Sequence, residues 1–277
     1  MKKYFLIAHS NIRKVKWQTT ATVVLVFFAA FMLNLWLMLS MDYKRNFERY
    51  HDKLNSSHIT LSIRSSSPEV KQFVSETLEK DSRTTEYAIN DAMVANGSFD
   101  YNGGNISTEF IFFNKEKAKK HKVEKIEIVE EGNQTSGVYL PVLYSTDKNI
   151  KTGETISLKI GNNIMDYTIC GFTNSIMAGS HNCSFFAILL TEDKYKELEE
   201  KGYAEKSYFV PVRMKDKLGS EVFEADIKDK LSKSYPQIYA LSNSYALVSS
   251  SRYISQMICS EVISAMAFFI TIIVLVV

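Results

Sequence analysis

From Trp17 to Met41 the chain runs for 25 residues without an Asp, Glu, Lys or Arg. As an α-helix rising about 1.5 Å per residue, such a run reaches roughly 37 Å, enough to cross a hydrocarbon core of about 30 Å with some tilt. Only Thr22, Asn34 and Ser40 interrupt the apolar stretch Ala21 to Met41. A core helix of a soluble domain rarely runs so far without charge. The run also exceeds a signal-peptide core, and no small-x-small cleavage site follows Ser40. The sequence therefore predicts an uncleaved spanning helix over residues 18–44.

The second charge-free run, Val262 to Val277, is shorter at 16 residues. It predicts a second spanning helix over 254–277 whose far end has no basic anchor, so a continuation of the natural protein beyond it is expected. The residues between the two runs are polar. Five basic residues precede the first helix (Lys2, Lys3, Arg13, Lys14, Lys16) and four follow it closely (Lys44, Arg45, Arg49, Lys53), which gives a slight positive-inside bias. The expectation is an N-terminus in the cytoplasm and a central domain, 45–253, outside the cell, because an N-terminal anchor readily exports a polar domain of that size.

Residues 1–17 read as an amphipathic helix lying in the membrane interface. Tyr4, Phe5, Ile7, Ala8, Ile12 and Val15 share one face, and Lys2, Lys3, Arg13, Lys14 and Lys16 lie on the other. Trp17 falls at the water–lipid border, where indole is favoured. The candidate membrane-interface residues are thus Phe5, Ile12, Arg13, Lys14, Lys16 and Trp17. Asn34, polar within the first span, is a candidate helix–helix contact; an amide satisfied within its own helix is the alternative.

The central region carries 28 basic against 30 acidic residues over 42–253, so charge gives no reason to expect a nucleic-acid partner. Ile59 to Ile63 alternates as a strand. Ser67-Pro68-Glu69 opens a helix with Val70, Phe73, Val74, Thr77 and Leu78 on one face, and a strand follows around Glu86 to Ala95. The pattern returns near the end: strand Ser207 to Met214, helix Ser220 to Ser232, extended chain around Ile238 to Leu241. Two β-α-β units predict helices packed on one face of a sheet. Between them, Val138 to Leu143, Thr155 to Ile160, Asp166 to Phe172 and Phe185 to Leu190 read as short strands with glycine turns, a β-rich inserted subdomain at about 136–192.

No catalytic constellation is visible. The five histidines (His9, His51, His58, His121, His181) are scattered, with neither an HExxH nor a phosphate-cradling loop. Asn102-Gly103-Gly104-Asn105 reads as a turn. Gly179-Ser180-His181 has the wrong spacing for a nucleophile elbow. The lysines of 115–122 alternate with Glu116 and Glu124, which suits a solvated face. The three cysteines show no CxxC, and whether Cys170 pairs with Cys183 stays open. The expectation is a non-enzyme with no cofactor and no metal.

In the order of its parts the chain resembles the FtsX-like and MacB-like permease subunits of ABC transporters. The motif A-x-x-N-[IL]-[RK] stands here as Ala8-His9-Ser10-Asn11-Ile12-Arg13, leading into the first span. Val138-Tyr139-Leu140-Pro141, Lys151-Thr152-Gly153-Glu154-Thr155-Ile156-Ser157-Leu158 and Tyr167-Thr168-Ile169-Cys170-Gly171-Phe172 resemble successive strands of their periplasmic core domain. Glu154 stands where Asp is more usual. The resemblance implies a fold of two spanning helices flanking an α+β extracellular domain, in a permease with four spans. It further implies a cytoplasmic ABC ATPase subunit, a second permease subunit (homo- or heterodimer) and the lipid bilayer as partners. ATP-driven movement would reach an extracellular domain acting on peptides, lipoproteins, drugs or partner proteins. The rival reading is the sensor region of a two-span receptor, a histidine kinase or chemoreceptor. An all-helical or all-β domain over 45–253 would sink the permease assignment.

Overall fold

The computed structural model describes residues 16–101, 104–148, 150–179 and 183–249. Helix α1 (Lys16–Lys53) is one continuous α-helix; its last turn belongs to the globular unit Glu48–Ser250. Among the described residues no helix is long and apolar enough to cross a membrane. The side chains of residues 18–19 and 35–44 lie outside that description.

In the globular unit, strand β1 (Ile59–Ile63) leads into α2 (Pro68–Lys80), then β2 (Thr84–Tyr87) and β3 (Asn90–Tyr101). Near the end, β10 (Glu205–Met214) leads through a 3-10 turn (Lys217–Gly219) into α6 (Ser220–Ser234), β11 (Ala240–Ser244) and the short α7 (Tyr245–Ser249). The strand order β11-β1-β10-β3 interleaves the two β-α-β units, and β1 runs antiparallel to both of its neighbours. This is the split β-α-β arrangement. The two units expected from the sequence are both present, and the domain is α+β.

The packing follows from periodicity. Pro68 at the start of α2 needs no N–H partner, and Val70, Val74 and Leu78 fall on one buried stripe. Phe223, Ile227 and Leu231 do the same on α6. Both stripes close over Ile59, Leu61, Ile63, Val210 and Val212 to make an aliphatic core.

Between β3 and β10 the chain forms β4 (Gly104–Asn114), α3 (Lys115–Ala118), β5 (Glu127–Glu131), β6 (Val138–Pro141), α4 (Leu143–Lys148), β7 (Thr155–Ile160), β8 (Asn163–Asn174), β9 (Phe185–Leu190) and α5 (Glu192–Lys201). The sheet continues from β3 through β4, β9, β6 and β8, and β7 pairs with both β8 and β3. Six strands therefore close into a small barrel that shares β3 with the first layer. The β-rich stretch expected at 136–192 is joined in this barrel by residues 90–114. Phe99, Phe110, Phe112, Tyr144, Tyr167, Phe172 and Phe186 fill the interior. Closure depends on Gly97, which opposes Ile160. A Cβ there would stand 2.2 Å from the Phe110 ring and 2.7 Å from the Lys159 carbonyl, so only glycine lets β7 approach.

Candidate functional site

The chain ends of the globular unit meet in one polar cluster. Glu48, on the last turns of α1, accepts from Lys217 Nζ at 2.5 Å and from the Tyr245 hydroxyl. These partners lie 169 and 197 residues further along the chain. Lys217 also sits over the Tyr245 ring, 4.8 Å from its centroid. Burial pushes the Glu48 carboxyl up, but the Lys217 and Tyr245 hydrogen bonds and the Lys217 charge outweigh it and hold the group below the usual carboxylate range.

Two histidines stack behind this clasp. The His51 and His58 rings lie 5.2 Å apart, 5° from parallel, and Tyr245 meets both edge-on. They come together because α1 ends at Lys53 and the chain reverses at Asn55, which takes a left-handed φ of 46°. His58 Nδ1 accepts from the Met214 backbone N–H at 2.9 Å, which only an unprotonated nitrogen can do. His51 Nε2 contacts the Ser57 carbonyl at 3.0 Å and is the donor, since a carbonyl only accepts. Burial is the main reason both imidazoles stay neutral. His58 falls to about 4, with the charges of His51, Arg213 and Lys217 adding to the effect. His51 is lowered by burial and by Arg213, against the Ser57 carbonyl, Asp52 and Glu48.

The reversal is pinned from the side by Glu124. Its backbone N–H donates to Asn55 O at 3.0 Å, and Asn55 Nδ2 donates to Lys122 O at 2.9 Å. The Glu124 carboxylate is fully buried and accepts from Ser57 N, Ser57 Oγ, Ser175 Oγ and Met177 N at 2.9–3.3 Å. Burial raises its pKa against the pull of those donors. Arg213 completes the frame, donating to Ser56 O at 2.8 Å.

No nucleophile–base pair occurs in this cluster, and among the described residues no group of three His, Cys, Asp or Glu is placed to hold a metal. A cleft of about 650 Å³ between α2 and α6 is lined by Lys80, Arg83, Lys230 and Lys233. Each cation there faces an acid, Glu76, Asp226, Asp81 and Asp229 respectively, so it makes no anion site. Arg83 holds Asp81 down to about 2. What the cluster at Glu48 can do is mechanical: it couples the entry and exit of the domain.

Of the residues expected from the sequence, Phe5, Ile12, Arg13 and Lys14 lie outside the described residues. Lys16 and Trp17 are exposed in the first turn of α1. Asn34 Nδ2 donates to Ala30 O at 2.9 Å within its own helix. Cys170 and Cys183 are both buried, their Sγ atoms donating to Thr168 O at 3.9 Å and Ile176 O at 3.8 Å respectively. Glu48, His51, His58, Lys217 and Tyr245 were not legible as a site, because three distant segments supply them.

No protein-family model matches the chain, and no curated protein matches it. Solved structures resemble it, three of them as follows. The periplasmic region of MacB from Actinobacillus actinomycetemcomitans is 10% identical, with 73% of this chain and 92% of that chain covered and a TM-score of 0.30. The extracellular domain of the noncanonic ABC-type transporter YknZ from Gram-positive bacteria is 8% identical, covering 66% and 99%, with a TM-score of 0.27. A domain of a protein described as a permease from Porphyromonas gingivalis is 10% identical, covering 68% and 90%, with a TM-score of 0.29.

Proposed function

We propose that this chain carries the first spanning helix, the extracellular domain and the second spanning helix of an ABC-transporter permease subunit. The carrying observation is the Glu48–Lys217–Tyr245 clasp, which ties together the two ends of the domain. Along the sequence each end leads toward a charge-free run. A domain held in this way responds as one body to a movement of either connecting helix. The ordered sequence motifs and the interleaved β-α-β units with a β-rich insertion support the same reading.

In this reading the N-terminus is cytoplasmic, a separate ATPase supplies the movement, and a second permease subunit completes the transporter. The extracellular domain acts on a peptide, lipoprotein, drug or partner protein, and the chain itself performs no chemistry. The test begins with the reading frame through and beyond Val277 and its neighbouring gene. Two further apolar helices and a Walker-type ATPase that copurifies with the full-length protein from membranes are expected. A kinase or methyl-accepting segment after the second span would replace this reading with the sensor.

A further inference from the structure

The His58 ring is placed so that one added proton turns a bond into a clash. The residue is 6% exposed, and its Nδ1 accepts from Met214 N–H at 2.9 Å. Nε2 therefore carries the one proton of the neutral ring, and Nδ1 holds the lone pair that acid would protonate. A proton there sets two N–H groups facing each other across a hydrogen-bond distance. The surroundings do not compensate the new charge. Arg213, one residue before Met214, and Lys217 already bring positive charge toward the ring, and the His51 imidazole lies stacked on it. Of the acids on α1, Asp52 faces His51 at 3.8 Å and Arg213 at 4.0 Å but is 74% exposed. The other, Glu48, is bonded to Lys217 and Tyr245. From α7, Tyr245 meets the His58 ring edge-on.

The backbone decides which side yields. His58 N donates to Val212 O at 2.8 Å, and His58 O accepts from Tyr245 N at 2.7 Å, so the strand carrying the ring is tied on both sides. The ring itself is boxed in by His51 and Tyr245. Met214, by contrast, is the last residue of β10, just past a register shift in the pairing with β2. Beyond it Lys215, Asp216 and Leu218 are exposed, and the 3-10 turn that carries Lys217 begins within three residues. We propose that His58 is a proton-operated latch: protonation of its Nδ1 releases the segment Met214–Gly219, withdraws Lys217 from Glu48 and opens the clasp. The bond from Lys215 N to Arg83 O at 2.9 Å keeps the release local. Lys217 and Glu48 are each about one-third exposed, so water can take up both once they part. The latch lies wholly within the globular unit Glu48–Ser250. It goes beyond the permease reading, because it operates whatever the domain is joined to.

The test is amide hydrogen exchange of the full chain in detergent micelles at pH 7.5 and pH 5, corrected for the intrinsic pH dependence of exchange. Three segments are read: Met214–Ser220, α7 (Tyr245–Ser249), and α2 (Pro68–Lys80), which carries no histidine. An imidazole that titrates near 6.5 when released and at about 4 in place makes opening roughly 30-fold more frequent at pH 5 than at pH 7.5. The expected result is a loss of protection of that order in the first two segments, with α2 changed by less than about two-fold. His58→Asn keeps an acceptor, Oδ1, for Met214 N–H but takes up no proton, so it should abolish the loss. An equal loss in all three segments overturns the proposal, because acid then loosens the whole domain; this comparison needs no substitution. Protection that is unchanged between the two pH values overturns it as well. So does a loss that persists in His58→Asn, which assigns the response to His51 instead.

Discussion

Strand β1 has an ionic cluster at each end, and the two are built on opposite principles. At one end His58 follows the reversal and belongs to the clasp of Glu48, Lys217 and Tyr245 with the stacked histidines. At the other, Arg64 donates through Nε and an Nη atom to Glu109 at 3.1 and 2.6 Å, to Asn96 at 2.8 Å, and faces Glu205 at 3.7 Å. Ser62 Oγ adds a bond to the second Glu109 oxygen at 2.9 Å. This hub binds β1 to β3, β4 and β10, fastening the first layer to the barrel. Its guanidinium meets the carboxylate through two nitrogens, and that carboxylate is 2% exposed. The clasp instead combines an ion pair about one-third exposed with imidazoles kept neutral mainly by burial. One end is built to hold; the other can be loosened by protons.

The strongest way to break this contrast is Glu109→Ala. Removing one partner leaves Arg64, only 16% exposed, without its main counter-charge, and breaking such a buried pair costs about 3–5 kcal/mol. Denaturant titration of the full chain in detergent should show a loss of this size, little changed between pH 5 and 8. A loss below about 1 kcal/mol would mean that the hub is no firmer than a surface pair.

Next in size is the acid response of the clasp. His58 titrates near 6.5 when unfolded and at about 4 when folded. Between those values the unfolded chain binds more protons, so stability is fully present above pH 6.5 and is lost as the pH falls toward 4. The shift corresponds to about 3 kcal/mol. His121, also held at about 4 by burial, contributes in the same window, and its Nδ1 has no hydrogen-bond partner. His121→Leu should therefore remove part of the acid slope at little cost at pH 7.5, leaving the share that belongs to the stacked pair. An acid slope that disappears entirely in His121→Leu would deny the clasp its proton sensitivity.

How much of this was readable beforehand depended on whether a pattern is local. Strands β1, β7 and β9 matched their expected limits, α2 showed its stripe and start plainly, and α6 showed its start. Strand β4 was missed because Phe110 and Phe112 face the barrel interior while Ile111 and Phe113 pack on its outside, which erases the period of two. Helix α5 was missed because Leu198 is its one buried residue; the left-handed Gly202 that ends it was the available signal. The site was less legible still. His51 and His58 looked scattered because a break in the helical pattern at Asn55 does not announce that the two rings stack across it, and Lys217 and Tyr245 join them only through the tertiary fold. Glu124 read as part of a solvated lysine-rich face, yet its carboxylate is the buried pin of the turn.

Glu48→Gln sharpens the comparison at a smaller scale. The glutamine keeps an acceptor for Tyr245 but loses the attraction to Lys217, whose partners are each about one-third exposed. A loss of about 1 kcal/mol is expected, reduced further in high salt. It should be accompanied by faster backbone amide exchange in α7, which the clasp holds. A loss as large as that of Glu109→Ala would make the two ends of β1 equivalent.

The smallest expected effect sets the scale for the others. Lys233 and Asp229 form an i, i+4 pair at 2.7 Å on α6, and both side chains are more than half exposed. Such pairs contribute roughly 0.3–0.5 kcal/mol, so Lys233→Ala should barely move the denaturation midpoint and should leave amide exchange in α7 unchanged. If this substitution cost as much as Glu48→Gln, the cost at Glu48 would reflect the loss of any surface charge. The clasp matters as a joint only if breaking it loosens α7 and breaking a pair of similar length elsewhere does not.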